Sequence, residues 1–210
     1  DFEKYKKLKN SQIKLKKKQK IFLEDAQYYI EDVRKKVIED LTYEKVYKQG
    51  FNINTPINLA LQKKATISLR EGLISYDKRK GWRGALENKI YSKNWTKNLE
   101  KYKLEKSIDW NLAIVKKINQ FSSELEVINH NELIEEGIIE YQDISWTKKE
   151  FDELFKEGDI VYVQKISDNK FSLKQLPKIN GGIVVLDPYT GRVLALSGGF
   201  SFKNSEFNRA

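Results

Sequence analysis

Cysteine and methionine are both absent from these 210 residues, and histidine occurs once, as His130. Without cysteine there is neither a disulfide framework nor a thiolate metal site, an absence that suits cytoplasm and periplasm alike. His130 stands between Asn129 and Asn131 with no second His and no Cys to share a metal or to activate a nucleophile, so it reads as a loop residue. Long apolar runs are missing as well. Runs such as 183–186 and 193–196 reach four residues, far short of the ~20 that cross a bilayer, so any membrane anchor is expected outside this stretch. The missing methionine, the start inside a charged run and the end directly after a patterned segment read as an excerpt from a longer chain.

What is present suffices for a fold: 40% of the residues are apolar and 12% aromatic, enough for one or two modest cores. The net charge of +9 resembles a nucleic-acid signal until it is located. Residues 1–20 hold nine lysines against Asp1 and Glu3, while the remainder, with 30 basic and 28 acidic residues, is nearly neutral. A basic arm attracts anionic lipid or polyphosphate, worth about 1 kcal/mol per charge at an anionic surface; a solvated linker is the plainer reading.

Between Asp25 and Tyr47, Ala26, Tyr29, Ile30, Val33, Val37, Ile38 and Leu41 recur at spacings of three and four, which predicts one amphipathic helix stopped by Gly50. Phe51, Ile53 and Thr55 alternate with Asn52 and Asn54, predicting a short strand. Asn58 is a natural N-cap for a second helix whose apolar positions are Leu61, Ala65, Leu69, Leu73 and Tyr76, ending near Gly81. From Trp82 to Leu176 the pattern changes to five short apolar runs, at 112–115, 126–128, 137–141, 160–163 and 171–173. Gly158 and Asp159 open the fourth, and Ser167, Asp168 and Asn169 suit a tight turn before the fifth. Five strands in ~90 residues predict an OB-like barrel.

Residues 183–186 and 193–196 mirror each other across Asp187, Pro188, Tyr189, Thr190 and Gly191, a hairpin in which Pro188 presets φ and Gly191 takes the left-handed conformation. Both strands are apolar at consecutive positions. Both faces are therefore expected to be covered, in the middle of a sheet packed by helices.

The run Gly182, Asp187, Pro188, Thr190, Gly191, Val193, Leu194, Ala195, Gly198, Gly199, Phe202, Ser205, Phe207, Asn208, Arg209, Ala210 resembles the class A penicillin-binding proteins. So do Tyr29, Val33 and Arg34, the set from Gly50 through Thr55, Ile57, Asn58, Leu61 and Gln62, and Gly72, Leu73, Tyr76, Asp77, Arg79, Gly81, Arg83 and Gly84. Residues 156–163 and 171–177 are similar to the closing strands of that family's OB-like insert. Pro56 and Asn58 depart from the family pattern, where a second Thr and an Asp are usual; Asn caps a helix about as well as Asp.

The resemblance implies an α+β chain in which a small OB-like β-barrel is inserted into the start of a β-lactamase-like transpeptidase sheet domain. Residues 1–24 would be the basic tail of a preceding glycosyltransferase domain, and 25–82 the linker helix with the first transpeptidase strand and helix. Residues 83–177 would be the OB-like insert, and 178–210 the central hairpin, short of the SxxK nucleophile. Gly84 and Leu176 should then lie close together. The resemblance further implies a parent that polymerises a lipid-linked peptidoglycan precursor and crosslinks it on the periplasmic side of the bacterial inner membrane. The implied partners are its own glycosyltransferase and transpeptidase domains, that precursor and a regulatory envelope protein at the OB-like domain. No cofactor and no nucleic acid are implied.

No catalytic residue is assigned. Four SxxK matches occur, at Ser11, Ser75, Ser145 and Ser167, against about two expected by chance at this Ser and Lys content, and none lies at a buried helix start beside a sheet. Glu24, Asp25 and Tyr28 resemble the acidic glycosyltransferase motif, but Glu31 and Val33 stand where it calls for His and Gly. Trp82, Trp95, Trp110 and Trp146 suit stacking platforms for bases or core packing, and the charge distribution favours the core. The residues singled out are thus structural: Asp187, Pro188, Thr190, Gly191, Gly198, Gly199, Phe207, Asn208 and Arg209. An OB-type nucleic-acid module and a structural envelope adaptor remain as rival readings.

Overall fold

A computed structural model describes residues 2–9, 23–89, 95–129 and 131–210, so His130 and Ser11 lie outside the described residues. Helix α1 (Phe2–Lys9) is followed, after a 3-10 turn at Glu24–Ala26, by α2 (Gln27–Leu41), α3 (Tyr43–Gln49) and α4 (Leu59–Lys78). The predicted single helix over 25–47 is thus two helices. Thr42, at φ 70 and ψ 150, breaks the chain between them. Apolar spacing continues through Leu41, and nothing local marks a β-branched residue for a left-handed conformation. The predicted strand at 51–55 is also absent: Phe51 and Ile53 are exposed, and the segment's tie to the hairpin is the Asn58 N–H donating to the Leu194 carbonyl at 2.8 Å. Alternation alone is not a strand when no partner ladder forms.

Asn58 caps α4 as expected, its Oδ1 accepting from the Ala60 and Leu61 N–H groups at 3.1 Å each. The buried face of α4 is Gln62, Ala65, Thr66, Arg70, Leu73 and Asp77, so four of its six buried residues are polar; Tyr76 faces out. A helix face this polar must meet hydrogen-bond partners.

The barrel strands are β1 (Glu87–Asn88), β2 (Asn111–Ile118), β3 (Ser122–Ile128), β4 (Ile134–Glu140), β5 (Asp159–Lys165) and β6 (Phe171–Lys174). Every predicted apolar run falls within or on one of them. Their order is β1-β5-β2-β3-β4, with β6 on β5. The sheet curls until β4 and β6 meet at one isolated bridge, Ile138 with Lys170, so the OB-like unit is not closed by a ladder. Gly137 explains the close approach: a Cβ there would stand 2.5 Å from the Phe171 ring. The inner core holds Ala113, Val115, Leu125, Val127, Ile139, Val161, Val163, Phe171 and Leu173, with Trp82 and Trp146 packed on it. Strands β2 and β5 are buried on both faces, because Leu112, Ile114, Ile160 and Tyr162 on the outer face pack against Leu73, Trp95, Leu99, Trp110 and Phe200. Strand β3, by contrast, alternates.

The hairpin β7 (Ile183–Leu186) and β8 (Val193–Ser197) forms as predicted, with a bulge at Leu194 and Gly191 at φ 70. Within residues 1–210, Ala195 and Leu196 are buried under α4 and α2, and Val184 and Leu186 are 41% and 55% exposed. Nothing lies within 4 Å of a Cβ placed on Gly191, so Gly191→Ala is expected to cost only about 1 kcal/mol, and Gly191→Val about 1–3 kcal/mol, in urea denaturation.

Candidate functional site

Two buried polar clusters fix the barrel to α4 and the hairpin. The first surrounds Arg70, in phase with Gln62, Thr66 and Asp77 on α4. Its Nε donates to the Phe200 carbonyl at 2.9 Å, Nη1 to the Ser107 carbonyl at 3.1 Å, and Nη2 to Ser107 Oγ at 3.1 Å and Glu105 Oε1 at 3.2 Å. Asp25 adds a carboxylate 3.7 Å away. Burial lowers the Arg70 pKa, and the Glu105 and Asp25 charges oppose that fall. Glu105, itself buried, accepts from the Ser201 hydroxyl and from the Phe202 N–H at 3.3 Å. One ion pair therefore joins the helix, the loop leading into β2 and the segment after β8. Gln62 completes it: Nε2 donates to the Asp25 and Leu196 carbonyls, while Oε1 accepts the Leu196 N–H. Tyr28 donates to the Ser201 and Ser205 carbonyls, and burial pushes its pKa up to about 12.

The second cluster surrounds Asp77. Arg83 binds its carboxylate bidentately at 3.0 and 2.8 Å, Gln175 Nε2 donates at 2.9 Å and the Lys178 N–H at 3.2 Å. Arg83 also donates to the Leu176 carbonyl at 2.7 Å, so the two ends of the OB-like unit meet side by side. Burial opposes the charge on Asp77, but the hydrogen bonds from Arg83, Gln175 and Lys178 outweigh it and hold the pKa below the usual range. A carboxyl depressed on folding stabilises above its unfolded pKa of about 3.9, and that contribution disappears as pH falls through the lower folded value. Asp77→Asn is therefore expected to cost about 1.5–3 kcal/mol at pH 7, the difference from the unaltered chain shrinking below about pH 4. A difference that stays constant down to pH 2.5 in thermal melts would exclude this role.

The residues singled out by sequence are placed as follows. Asp187 accepts from the Tyr189 N–H and the Thr190 hydroxyl, closing the turn that Pro188 begins. Gly198 and Gly199 admit close neighbours: a Cβ on the first would overlap Asn208, on the second the Tyr28 hydroxyl. Asn208 Oδ1 accepts the Ala210 N–H, and Arg209 lies over the exposed Phe207 ring. Ser75, Ser145 and Ser167 sit on α4, in a 3-10 turn and in a loop, and are exposed. Trp95 and Trp110 are buried, and Trp82 packs edge-on to Trp146, so the tryptophans serve the core. Among the described residues no group of acidic residues or histidines could hold a metal, and no helix is long and apolar enough to cross a membrane.

Sequence reasoning did not single out Arg70 or Glu105. A signal was there: arginine is scarce beside lysine here, and Arg70 falls on the helix face that turns inward, where only a partnered charge is tolerated.

Comparison with known proteins locates this arrangement. Residues 82–179 match the family model described as the penicillin-binding protein OB-like domain. Penicillin-binding protein 1A of Rickettsia prowazekii is 35% identical over 201 residues, 95% of this chain. The chain belongs to the class A penicillin-binding proteins. Penicillin-binding protein 1A of Pseudomonas aeruginosa is 27% identical over 79% of the chain. The crystal structure of penicillin-binding protein 1A from Haemophilus influenzae shares the fold, with a TM-score of 0.74 at 24% identity over the whole chain and 30% of that protein. This penicillin-binding-protein segment spans about a quarter of the length of the curated relatives it matches.

Proposed function

We propose that the chain is the non-catalytic segment of a bifunctional peptidoglycan synthase that sets the position of an OB-like domain on the first helix and central hairpin of a transpeptidase domain. The observation that carries the reading is that both ends of the OB-like unit are held by one carboxylate, Asp77, while Arg70 and Glu105 tie its outer face to the hairpin. In this reading residues 1–24 are the basic tail of the preceding glycosyltransferase domain, 25–82 the linker with the first transpeptidase elements, 83–177 the insert and 178–210 the central hairpin. Asp187, Pro188, Thr190, Gly191, Gly198, Gly199, Phe207, Asn208 and Arg209 shape the platform on which the nucleophile helix packs.

The parent would work on the periplasmic side of the inner membrane, polymerising a lipid-linked disaccharide peptide and crosslinking it through an acyl-enzyme. A regulatory envelope protein would dock on the OB-like domain, where exposed Leu133 and Ile134 at the start of β4 offer apolar contact. Fluorescent penicillin is expected to label the full-length parent at a serine outside residues 1–210. The chain alone should stay no brighter than a heat-denatured control. An adduct mapped by mass spectrometry to Ser75, Ser145 or Ser167 overturns the reading. Single-stranded DNA binding that persists after the lysines of residues 4–20 are neutralised would favour a nucleic-acid module instead.

A further inference from the structure

A cleft of about 710 Å³ opens between α4 and the outer face of the barrel, with Ile74, Trp110 and Phe200 among its lining. That volume lies within the range of small-ligand sites. Four of its charged side chains, Glu71, Asp109, Lys78 and Lys174, form no ion pair with any described residue, and Lys78 Nζ lies 5.3 Å from the centroid of the Trp146 ring.

The four charges are segregated. Glu71 and Lys78 are seven residues apart on α4, roughly 10 Å along its axis at 1.5 Å per residue. Asp109 lines the cleft two residues after Ser107, whose carbonyl accepts from Arg70, the neighbour of Glu71 on α4. Lys174, at the end of β6, lines the same cleft as Lys78; burial lowers the pKa of both, the Lys78 charge lowers that of Lys174 further, and Asp143 opposes these effects. One end of the cleft is thus acidic and exposed, and the other holds two half-buried ammonium groups that repel each other. Arg70 also lines the cleft, but its donors are committed to Glu105, Ser107 and Phe200.

We infer that this cleft binds a short zwitterionic peptide of about three residues, its amine toward Glu71 and Asp109 and its carboxylate toward Lys78 and Lys174. Three extended residues span roughly 10 Å, which matches the separation of the two ends. Side chains of such a peptide lie over Ile74 and Trp110, and its carboxylate relieves the repulsion between the two lysines. The site is read from this chain alone and does not depend on the parent's activity.

The test is titration of the chain with trialanine, N-acetyl-trialanine and trialanine amide, following the indole N–H resonances of Trp110 at the cleft and Trp95 away from it. Trialanine is expected to shift Trp110 and leave Trp95 in place, and each capped peptide to bind at least tenfold more weakly. Lys78→Gln with Lys174→Gln should weaken trialanine and N-acetyl-trialanine but not trialanine amide. Glu71→Gln with Asp109→Asn should weaken trialanine and trialanine amide but not N-acetyl-trialanine. An unmoved Trp95 resonance reports that each variant is folded. No shift at Trp110 with tens of millimolar trialanine, or equal binding of all three peptides, overturns the inference. Binding of N-acetyl-trialanine as tight as that of trialanine would overturn the bipolar site in favour of a simple anion site.

Discussion

Arg70→Ala is expected to destabilise the chain by about 3–5 kcal/mol, which for a chain of this size lowers the melting temperature by on the order of 10 °C. The cost comes less from the lost attraction than from what remains: Glu105 buried without its cation, and the Phe200 and Ser107 carbonyls without donors. Removing both charges, with Arg70→Met and Glu105→Leu together, should recover a large part of the loss, because no unpaired charge stays inside. A single substitution costing under 1 kcal/mol in urea denaturation would show that water reaches the pair freely and that it does not hold the junction. In the full-length parent, the proposed reading adds that penicillin acylation falls with stability, since the junction orients the hairpin.

Gly158→Ala is expected to cost about 3–5 kcal/mol, several times the effect of Gly191→Ala, although the two glycines share a left-handed backbone at φ 88 and 70. Conformational strain is similar at both sites. The surroundings differ: a Cβ on Gly158 would overlap the Lys89 carbonyl oxygen, while the space around Gly191 is open. Gly158 also donates to the Val115 carbonyl and accepts from the Lys89 N–H, both at 2.8 Å, so displacing it separates β1 from β5 and loosens the start of β5. Equal melting temperatures for the two alanine variants would mean that the β1 edge yields without cost.

Much of the fold was legible. The Asn58 cap, the period of α4 and the Asp187–Gly191 turn depend on contacts within a few residues, which local spacing encodes directly, and five of the barrel strands showed as short apolar runs. The break at Thr42 and the missing strand at 51–55 were not legible: a helix stops, or a strand forms, according to partners far away in the sequence. The junction was half legible. Asp77, Arg83 and Gln62 stood among the residues carrying the family resemblance, but without a role, because a role needs Gln175, Lys178 and Leu196 placed opposite them.

By itself, then, the sequence determined most of the elements, the Asn58 cap, the Asp187–Gly191 turn and the family resemblance, since periodicity, capping and turn chemistry are local properties of the chain. The tertiary structure decided what covers the second apolar face of β2 and β5: Leu73, Trp95, Leu99, Trp110 and Phe200, drawn from α4, the loop before β2 and the segment after β8. It also decided that Arg70 meets Glu105 and that Asp77 joins the two ends of the OB-like unit. The physical reason is the same in each case: burial and ion pairing depend on what stands opposite, and the opposite residue lies 35 positions away for Arg70 and 98 for Asp77 with Gln175.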